Sequence, residues 1–245
     1  MASCLAEYGL ESRVIGVALD GTGYGSDGHL WGGEFLISDN QGFKRRAHLA
    51  YLPLPCGQGA IKNPYRMAIS YLYQVFGDEI WSLPLSIIKE TEQRELEVLL
   101  KVIQAGINCP LTSSCGRLFD AMTALTGLRR RVTFEGQAAI DLEMAIRQDL
   151  DPSTVMYEYA IQLEPEGYVI DWYPMIVDVV EDIQRRVEVS TISVSFHNTI
   201  ANIILDLCLR LREEEGLDTV VLSGGVFQNH YLLARTDHLL EQEHF

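Results

Sequence analysis

Three short segments carry residue types that hold phosphate, ribose or a cation. The first is Leu19-Asp-Gly-Thr-Gly-Tyr-Gly25, an acid followed by three glycines within five residues. Glycine N–H groups in such a turn can cradle phosphate, and the Asp20 carboxylate can hold a cation. The same pattern serves equally as a plain hairpin turn. The second is Ser113-Ser-Cys-Gly-Arg-Leu-Phe-Asp-Ala121. Ser113 or Ser114 can N-cap a helix whose first turn, at Gly116, lacks a side chain. A ribose or base can lie against that backbone, with Asp120 one turn further on to accept from its hydroxyls; a capped helix with a solvated Asp120 is the simpler alternative. The third is Val220-Val-Leu-Ser-Gly-Gly-Val-Phe-Gln-Asn229. A strand running into Gly224-Gly225 and a helix directs free N–H groups at the strand's end, where nucleotides bind. Asn229, in the first helical turn or so, can bond a base or ribose. No Lys-Ser/Thr follows and the wider dinucleotide fingerprint is missing, so this is neither a Walker P-loop nor a Rossmann loop.

These segments need elements to position them. Residues 1–9 read as the end of a helix closed by Gly9. Val14–Leu19 is a buried strand, Asp27-Gly28 a tight turn, Leu30–Ser38 the return strand and Phe43–Tyr51 a third. Pro and Gly make residues 53–63 a loop. Helical periodicity then covers Arg66–Phe76, Glu90–Ala105, Arg117–Thr126 and Gly136–Arg147. Two short strands flank Pro165-Glu-Gly167 within 151–173. Helices are expected over 174–188 and 190–213, a strand over Asp218–Leu222, and a last helix from Gly224-Gly225 to about Glu241. The order is that of a mixed α/β fold. Residues 1–13 are expected to end a preceding lobe, and 14–245 to form one nucleotide-binding lobe. Residues 20–25, 116–120 and 224–229 are expected to meet in one cleft.

Other residues that invite a chemical reading have simpler ones. The six histidines show no ligand spacing; His197 reads as a core or capping residue. Cys115 abuts the second motif and reads as a packed thiol. Arg129-Arg-Arg131 reads as solvated or paired, and Glu213-Glu-Glu215 as exposed. The five cysteines are odd in number and form no C-x-x-C pair, against a disulfide framework or zinc knuckle.

Composition narrows the function classes. The chain has 245 residues, 47% hydrophobic and 22% charged, enough for a real core. Its net charge of -15 disfavours nucleic acid and anionic membranes as partners. An anionic nucleotide must therefore be held by backbone N–H groups and a bound cation. There is no basic-then-apolar leader and no apolar run of the ~18 residues a membrane span requires. A cytoplasmic protein is expected.

Taken together and in order, GVALDGTGYGSDGHLWGGEFL, SSCGRLFDAMTALTG, FEGQAAIDLE and VVLSGGVFQN closely resemble the C-terminal catalytic domain of the HypF-type hydrogenase-maturation carbamoyltransferases. That domain is related to the ATPase that makes threonylcarbamoyl-adenosine on tRNA and to antibiotic O-carbamoyltransferases. The resemblance spans about residues 1–240 and implies a lobe of the actin/Hsp70-like ATPase fold, with a mixed β-sheet, flanking helices and a helical block. It implies ATP-dependent carbamoyl transfer: carbamoyl phosphate and ATP give carbamoyl-adenylate, whose carbamoyl group passes to the C-terminal cysteine thiol of a HypE-type acceptor in [NiFe]-hydrogenase maturation. Carried over by position, Asp20 is the ligand of a divalent metal ion. Gly21, Thr22, Gly23, Gly33 and Glu34 lie on the phosphate side, with Trp31 and Gly32. Gly116 and Asp120 lie on the ribose side, and Gly224, Gly225 and Asn229 on the adenosine side. Lys62 and Arg66 fall in the stretch expected near the carbamoyl group.

The chain also departs from that pattern. Cys56 and Gln58 stand where the family tends to have Gly and Asp. The family's His-rich metal motif precedes the segment matching Met1, and its Asp-Gly-Gly motif follows the segment matching Phe245. The expectation is a truncated product with little transfer activity alone. An inactive nucleotide- or partner-binding remnant and a small-molecule O-carbamoyltransferase are the alternatives.

Overall fold

The computed structural model describes residues 2–10, 12–147 and 155–245. In chain order the elements are α1 (Ala2–Glu7), β1 (Val14–Tyr24), β2 (Leu30–Ser38), β3 (Phe43–Leu49), β4 (Leu52–Pro53), α2 (Gln58–Lys62), α3 (Pro64–Phe76), α4 (Ser86–Lys89), α5 (Gln93–Ala105), β5 (Leu111–Thr112) and α6 (Cys115–Leu125). They continue with α7 (Gln137–Met144), β6 (Ala160–Glu164), β7 (Gly167–Asp171), α8 (Tyr173–Gln184), α9 (Val189–Glu215), β8 (Val220–Ser223) and α10 (His230–Gln242). Short 3₁₀ turns occupy Gly77–Ser82 and Gly225–Gln228.

One mixed sheet organises the chain. β1, β2 and β3 run antiparallel, β8 adds parallel to β1 and β7 parallel to β3. β6 pairs antiparallel with β7, and the short β4–β5 pair joins at the start of β2 through Leu30 and Thr112. The β1/β8 pairing places Ala18 beside Ser223, so Asp20 of β1 and Gly224-Gly225, just past the end of β8, come side by side. That juxtaposition is long-range and follows from the parallel register, not from either segment alone.

The core lies between the sheet and the helices. Val17, Leu19, Phe35 and Ile37 from the sheet pack in one cluster with Met67 and Leu72 of α3, Phe119 of α6 and Phe196 and Ile200 of α9. α9 is long and apolar enough to cross a membrane by length and composition, but most of that stretch is buried within the chain, as befits a core helix. Trp172 is fully buried, stacks on Tyr173, meets Tyr71 edge-on and donates from Nε1 to the Ala50 carbonyl at 2.9 Å. A buried indole needs such a partner for its one polar group.

Several boundaries differ from expectation, each for a local reason. β1 does not stop at Leu19: it continues through the glycines to Tyr24, with a register shift between Leu19 and Gly23. The phosphate-type segment is thus a bulge within a strand, a usual way to re-aim backbone groups, and the turn sits at Gly25–Gly28. The loop expected over 53–63 holds α2, because Ala60 finds a fully buried seat. Helix begins before the expected Glu90, at α4, and is broken at Thr91, whose hydroxyl bonds back to the Ile87 carbonyl at 2.7 Å; the helix expected over Glu90–Ala105 is α5 and starts only at Gln93. The closing helix is likewise divided: a 3₁₀ turn follows Gly224, and α10 starts only after Asn229. Residues 151–154 of the stretch expected to hold two strands lie outside the described residues; the strands themselves are β6 and β7.

Candidate functional site

A cavity of about 290 Å³ opens where β1, α6 and the turn after β8 converge. Asp20, Gly21, Gly116, Arg117, Asp120, Glu135, Gly136, Gly225 and Gln228 are among its lining residues. A second hollow of about 190 Å³ shares Glu135, Gly136, Gly225 and Gln228 with it and reaches Asn229. The three motifs therefore meet at one place although about 200 residues separate them in sequence, from Asp20 to Gly225.

Close backbone approach explains two of the glycines. A Cβ on Gly116 would lie 2.7 Å from the Gly21 Cα, so any side chain would force the first turn of α6 off the β1 bulge. Gly224 has φ +104°, and a Cβ there would stand 2.1 Å from the Leu19 carbonyl oxygen; only glycine adopts this backbone without strain. Ser114 links the same pieces. Its Oγ caps α6 by accepting from the Arg117 N–H at 3.2 Å and lies 2.8 Å from the carbonyl oxygens of Asp20 and Gly21. The cap and the bulge are thus held by one hydroxyl.

The polar groups at the cavity are unevenly satisfied. Asp20 is exposed, and its Oδ1 accepts from the Gly21 N–H at 2.7 Å. Arg117 and Asp120 are each only 4% exposed. Arg117 Nη1 stands 3.1 Å from Asp120 Oδ2, within ion-pair range but without hydrogen-bond geometry; these two atoms and Arg117 Nε have no hydrogen-bond partner. Burial pushes the Asp120 carboxyl up to about 7, against the lowering effect of the Arg117 guanidinium. A buried charge pair left this incomplete is costly unless something further engages it.

The remaining expected residues fall into distinct groups. Glu34, 2% exposed, does not reach the cavity: one carboxylate oxygen accepts from the N–H groups of Gly32 and Gly33 at 2.6 and 2.8 Å, and the other from the Ser113 hydroxyl. Burial pushes its carboxyl up to about 7 despite these three donors. It fastens β2 to the segment leading into α6. Gly33 is a packing position against the Ser113 carbonyl and Leu49, and Gly23 packs on Trp31. The Thr22 hydroxyl is taken up by the Gly21 carbonyl at 2.6 Å. Asn229 is buried; its Oδ1 caps α10 by accepting from the Leu232 N–H at 2.8 Å, and its amide meets His197 Nε2 at 2.9 Å. Its side chain is committed to structure, leaving the Gly225–Gln228 turn to face the cavity.

Lys62 and Arg66 separate. Lys62 lines a chamber of about 460 Å³ with Gln58, Ile61 and Phe134, which shares Glu135 with the glycine-lined cavity. Arg66 lines another, beside Cys56, Glu92 and Glu95, and its Nε lies 3.1 Å from the Tyr65 hydroxyl. His197 is a core residue: Ser193 O lies 2.7 Å from Nδ1, which assigns the proton to Nδ1 and leaves Nε2 to accept from Asn229, and burial holds its pKa down to about 4. Cys115 is buried, and burial pushes its thiol far up. Arg129 pairs with Asp141, and Arg130 donates to Thr91 Oγ1 at 2.9 Å. No group of three or more His, Cys, Asp or Glu among the described residues is placed to hold a metal ion. Asp20 alone does not make a metal centre.

Sequence reasoning passed over Arg117, Glu135, Gly136 and Gln228. The signal for Arg117 was present: it stands three residues before Asp120 on one helical face. Glu135 and Gly136 sit in a motif whose spacing to the others says nothing until the chain is folded.

Comparison with known proteins identifies the family. Residues 16–245 match the family described as carbamoyltransferase, Kae1-like domain, second subdomain. The carbamoyltransferase HypF of Synechocystis sp. is 37% identical over 98% of this chain and 32% of its own length. A HypF homolog of Cupriavidus necator is 34% identical over 96% of this chain and 59% of its own length. A crystal structure of full-length HypF in the phosphate- and nucleotide-bound form superposes with a TM-score of 0.91 at 44% identity, covering 100% of this chain and 37% of that one. The HypF structure of T. kodakarensis gives a TM-score of 0.80 at 31% identity, over 97% and 31% of the two chains. The chain thus spans between about a third and three fifths of these relatives, with the actin-like ATPase fold expected of the family. It belongs to the HypF carbamoyltransferases and corresponds to the second subdomain of their Kae1-like domain.

Proposed function

We propose that this chain is the part of an ATP-dependent carbamoyltransferase that holds the adenine nucleotide, as ATP or as carbamoyl-adenylate, in the cavity between Gly21, Gly116 and Gly225. The observation that carries this reading is the convergence of three backbone segments, each bared by a glycine, on one hollow that also holds the buried Asp120. Such a surface suits a flat, hydroxylated, phosphorylated ligand: backbone approaches the sugar and base, and a carboxylate accepts from ribose hydroxyls. Carbamoyl transfer to a thiol asks for no nucleophile from this chain. The acceptor's thiolate attacks the carbamoyl carbon, the bond to the phosphate oxygen breaks, and AMP leaves. Positioning the mixed anhydride is the protein's contribution. The acceptor is proposed to be the C-terminal cysteine of a HypE-type protein, reached from the Lys62 chamber, and the process [NiFe]-hydrogenase maturation. Among the described residues the divalent ion that the resemblance implies finds no ligand group around Asp20, and no step is assigned to it.

Isothermal titration of the chain with ATP tests the nucleotide site. Asp120→Ala and Gly225→Val are each expected to weaken binding at least tenfold; unchanged affinity in both would refute the assignment. Mass spectrometry of the acceptor cysteine, with pre-made carbamoyl-adenylate as donor, tests the transfer. Carbamoylation of a small-molecule hydroxyl in place of the thiol would favour the O-carbamoyltransferase alternative.

A further inference from the structure

Among the described residues, Arg117 is the cation at the glycine-lined cavity left without hydrogen-bond partners at two of its nitrogens. Its side chain is 5% exposed, yet Nε and Nη1 are buried without hydrogen-bond partners, and the neighbouring Asp120 Oδ2 is equally unpartnered. Guanidinium N–H groups cannot be neutralised by losing a proton, so the charge stays in place and favours an anionic acceptor beside it. Nη1 faces Asp120, and Nη2 lies 3.4 Å from where a Cβ on Gly21 would stand. Nη2 therefore turns towards the Gly21 bulge, while Nη1 stands beside the ribose-side carboxylate. Nη2 carries two N–H donors, which suit the oxygens of a phosphate.

Charge supports the same reading. Asp20, Asp120 and Glu135 all line the cavity, and Arg117 is the only cation among the described residues that does. In a chain of net charge -15 an anionic ligand is repelled almost everywhere. A single buried guanidinium, anchored so that it cannot swing out to solvent, fixes where the anion can sit. Burial that keeps the Asp120 carboxyl partly protonated near neutrality leaves more of the Arg117 charge uncompensated.

We propose that Arg117 is the phosphate clamp of this cavity, binding through Nη2 the phosphate attached directly to a nucleoside, between the Gly21 bulge and Asp120. The proposal rests on the nucleotide reading above and deepens it by naming the residue that distinguishes a nucleoside phosphate from a nucleoside. Asp120 serves the sugar and Arg117 the phosphate, so the two sides of the pair read different parts of one ligand.

Titration calorimetry with AMP, adenosine and inorganic phosphate separates the roles. The wild-type chain is expected to prefer AMP to adenosine and to bind phosphate weakly. Arg117→Met should weaken AMP on the order of tenfold to a hundredfold, the loss expected for charge-assisted bonds, and abolish phosphate binding. It should leave adenosine within about twofold. Arg117→Lys, which keeps charge and stem but lacks the fork, should fall between and serves if the methionine variant fails to fold. Asp120→Asn should weaken AMP and adenosine alike. An unchanged ratio of AMP to adenosine affinity in both Arg117 variants would overturn the clamp and make Arg117 a counter-ion of Asp120 only. A wild-type chain that binds adenosine but gains nothing from the phosphate also overturns it, while sparing the nucleoside site. Failure to bind any of the three probes removes the nucleotide reading as well.

Discussion

Glu34 offers a prediction that can be worked from its surroundings. Its carboxyl is 2% exposed and held by two backbone N–H groups and the Ser113 hydroxyl, yet burial moves it from 4.5 to about 7. A folded-state pKa above the unfolded value means the native chain binds the proton more tightly. Between about pH 4.5 and 7 the folded state therefore carries more protons, and stability falls as pH rises through that window. The deficit is absent below the window and complete above it. At about 1.4 kcal/mol per pH unit it amounts to on the order of 3 kcal/mol. Glu34→Gln removes the titration but keeps the contacts: the amide oxygen can accept from Gly32 and Gly33 while its NH₂ donates to Ser113, whose hydroxyl can turn to accept. Thermal unfolding followed by circular dichroism should show midpoints within about 2–3 °C of each other for the two proteins at about pH 5. At about pH 8 the variant should be the more stable, by up to about 6–12 °C for a chain of this size. A slope of the same sign, from Asp120, whose carboxyl burial moves from 3.8 to about 7, should persist in the variant. A variant less stable than wild type at pH 8 but not at pH 5 would refute the reasoning. It would show that the three donors, and not burial, dominate the carboxylate.

Three other outcomes follow from the site. Gly224→Ala places a Cβ 2.1 Å from the Leu19 carbonyl at φ +104°, so urea unfolding should show a loss on the order of 3 kcal/mol or more. Asn229→Ala removes the cap of α10 and the partner of His197 Nε2, and should cost on the order of 2–3 kcal/mol in the same assay. Cys115, buried with its thiol pushed far above the neutral range, should resist iodoacetamide in the native chain, whereas the partly exposed Cys4 and Cys56 should label. Rapid labelling of native Cys115 would contradict the packing around it.

Much of this protein is legible in its sequence because the relevant physics is local. β2 starts and ends where an apolar run and the Asp27-Gly28 turn place it, and α6 begins where Ser114 can cap it, since turn and cap chemistry act within a few residues. The glycines at 21, 116 and 224 announce close backbone approach without saying to what. The tertiary structure supplies the partners. The parallel register of β8 on β1 brings Gly224 against Leu19, and the first turn of α6 brings Gly116 against Gly21. Roles that depend on burial were invisible for the same reason. Glu34 stands among the phosphate-side residues in sequence, but the pleat turns it inward, onto Ser113. Asn229 follows the glycines at ligand-binding distance, but the 3₁₀ turn makes it a helix cap. Arg117 looks like any helical arginine until α6 packs against the bulge. A residue's type fixes which bonds it can make; which of them remain for a ligand depends on desolvation and on neighbours that only folding brings within reach.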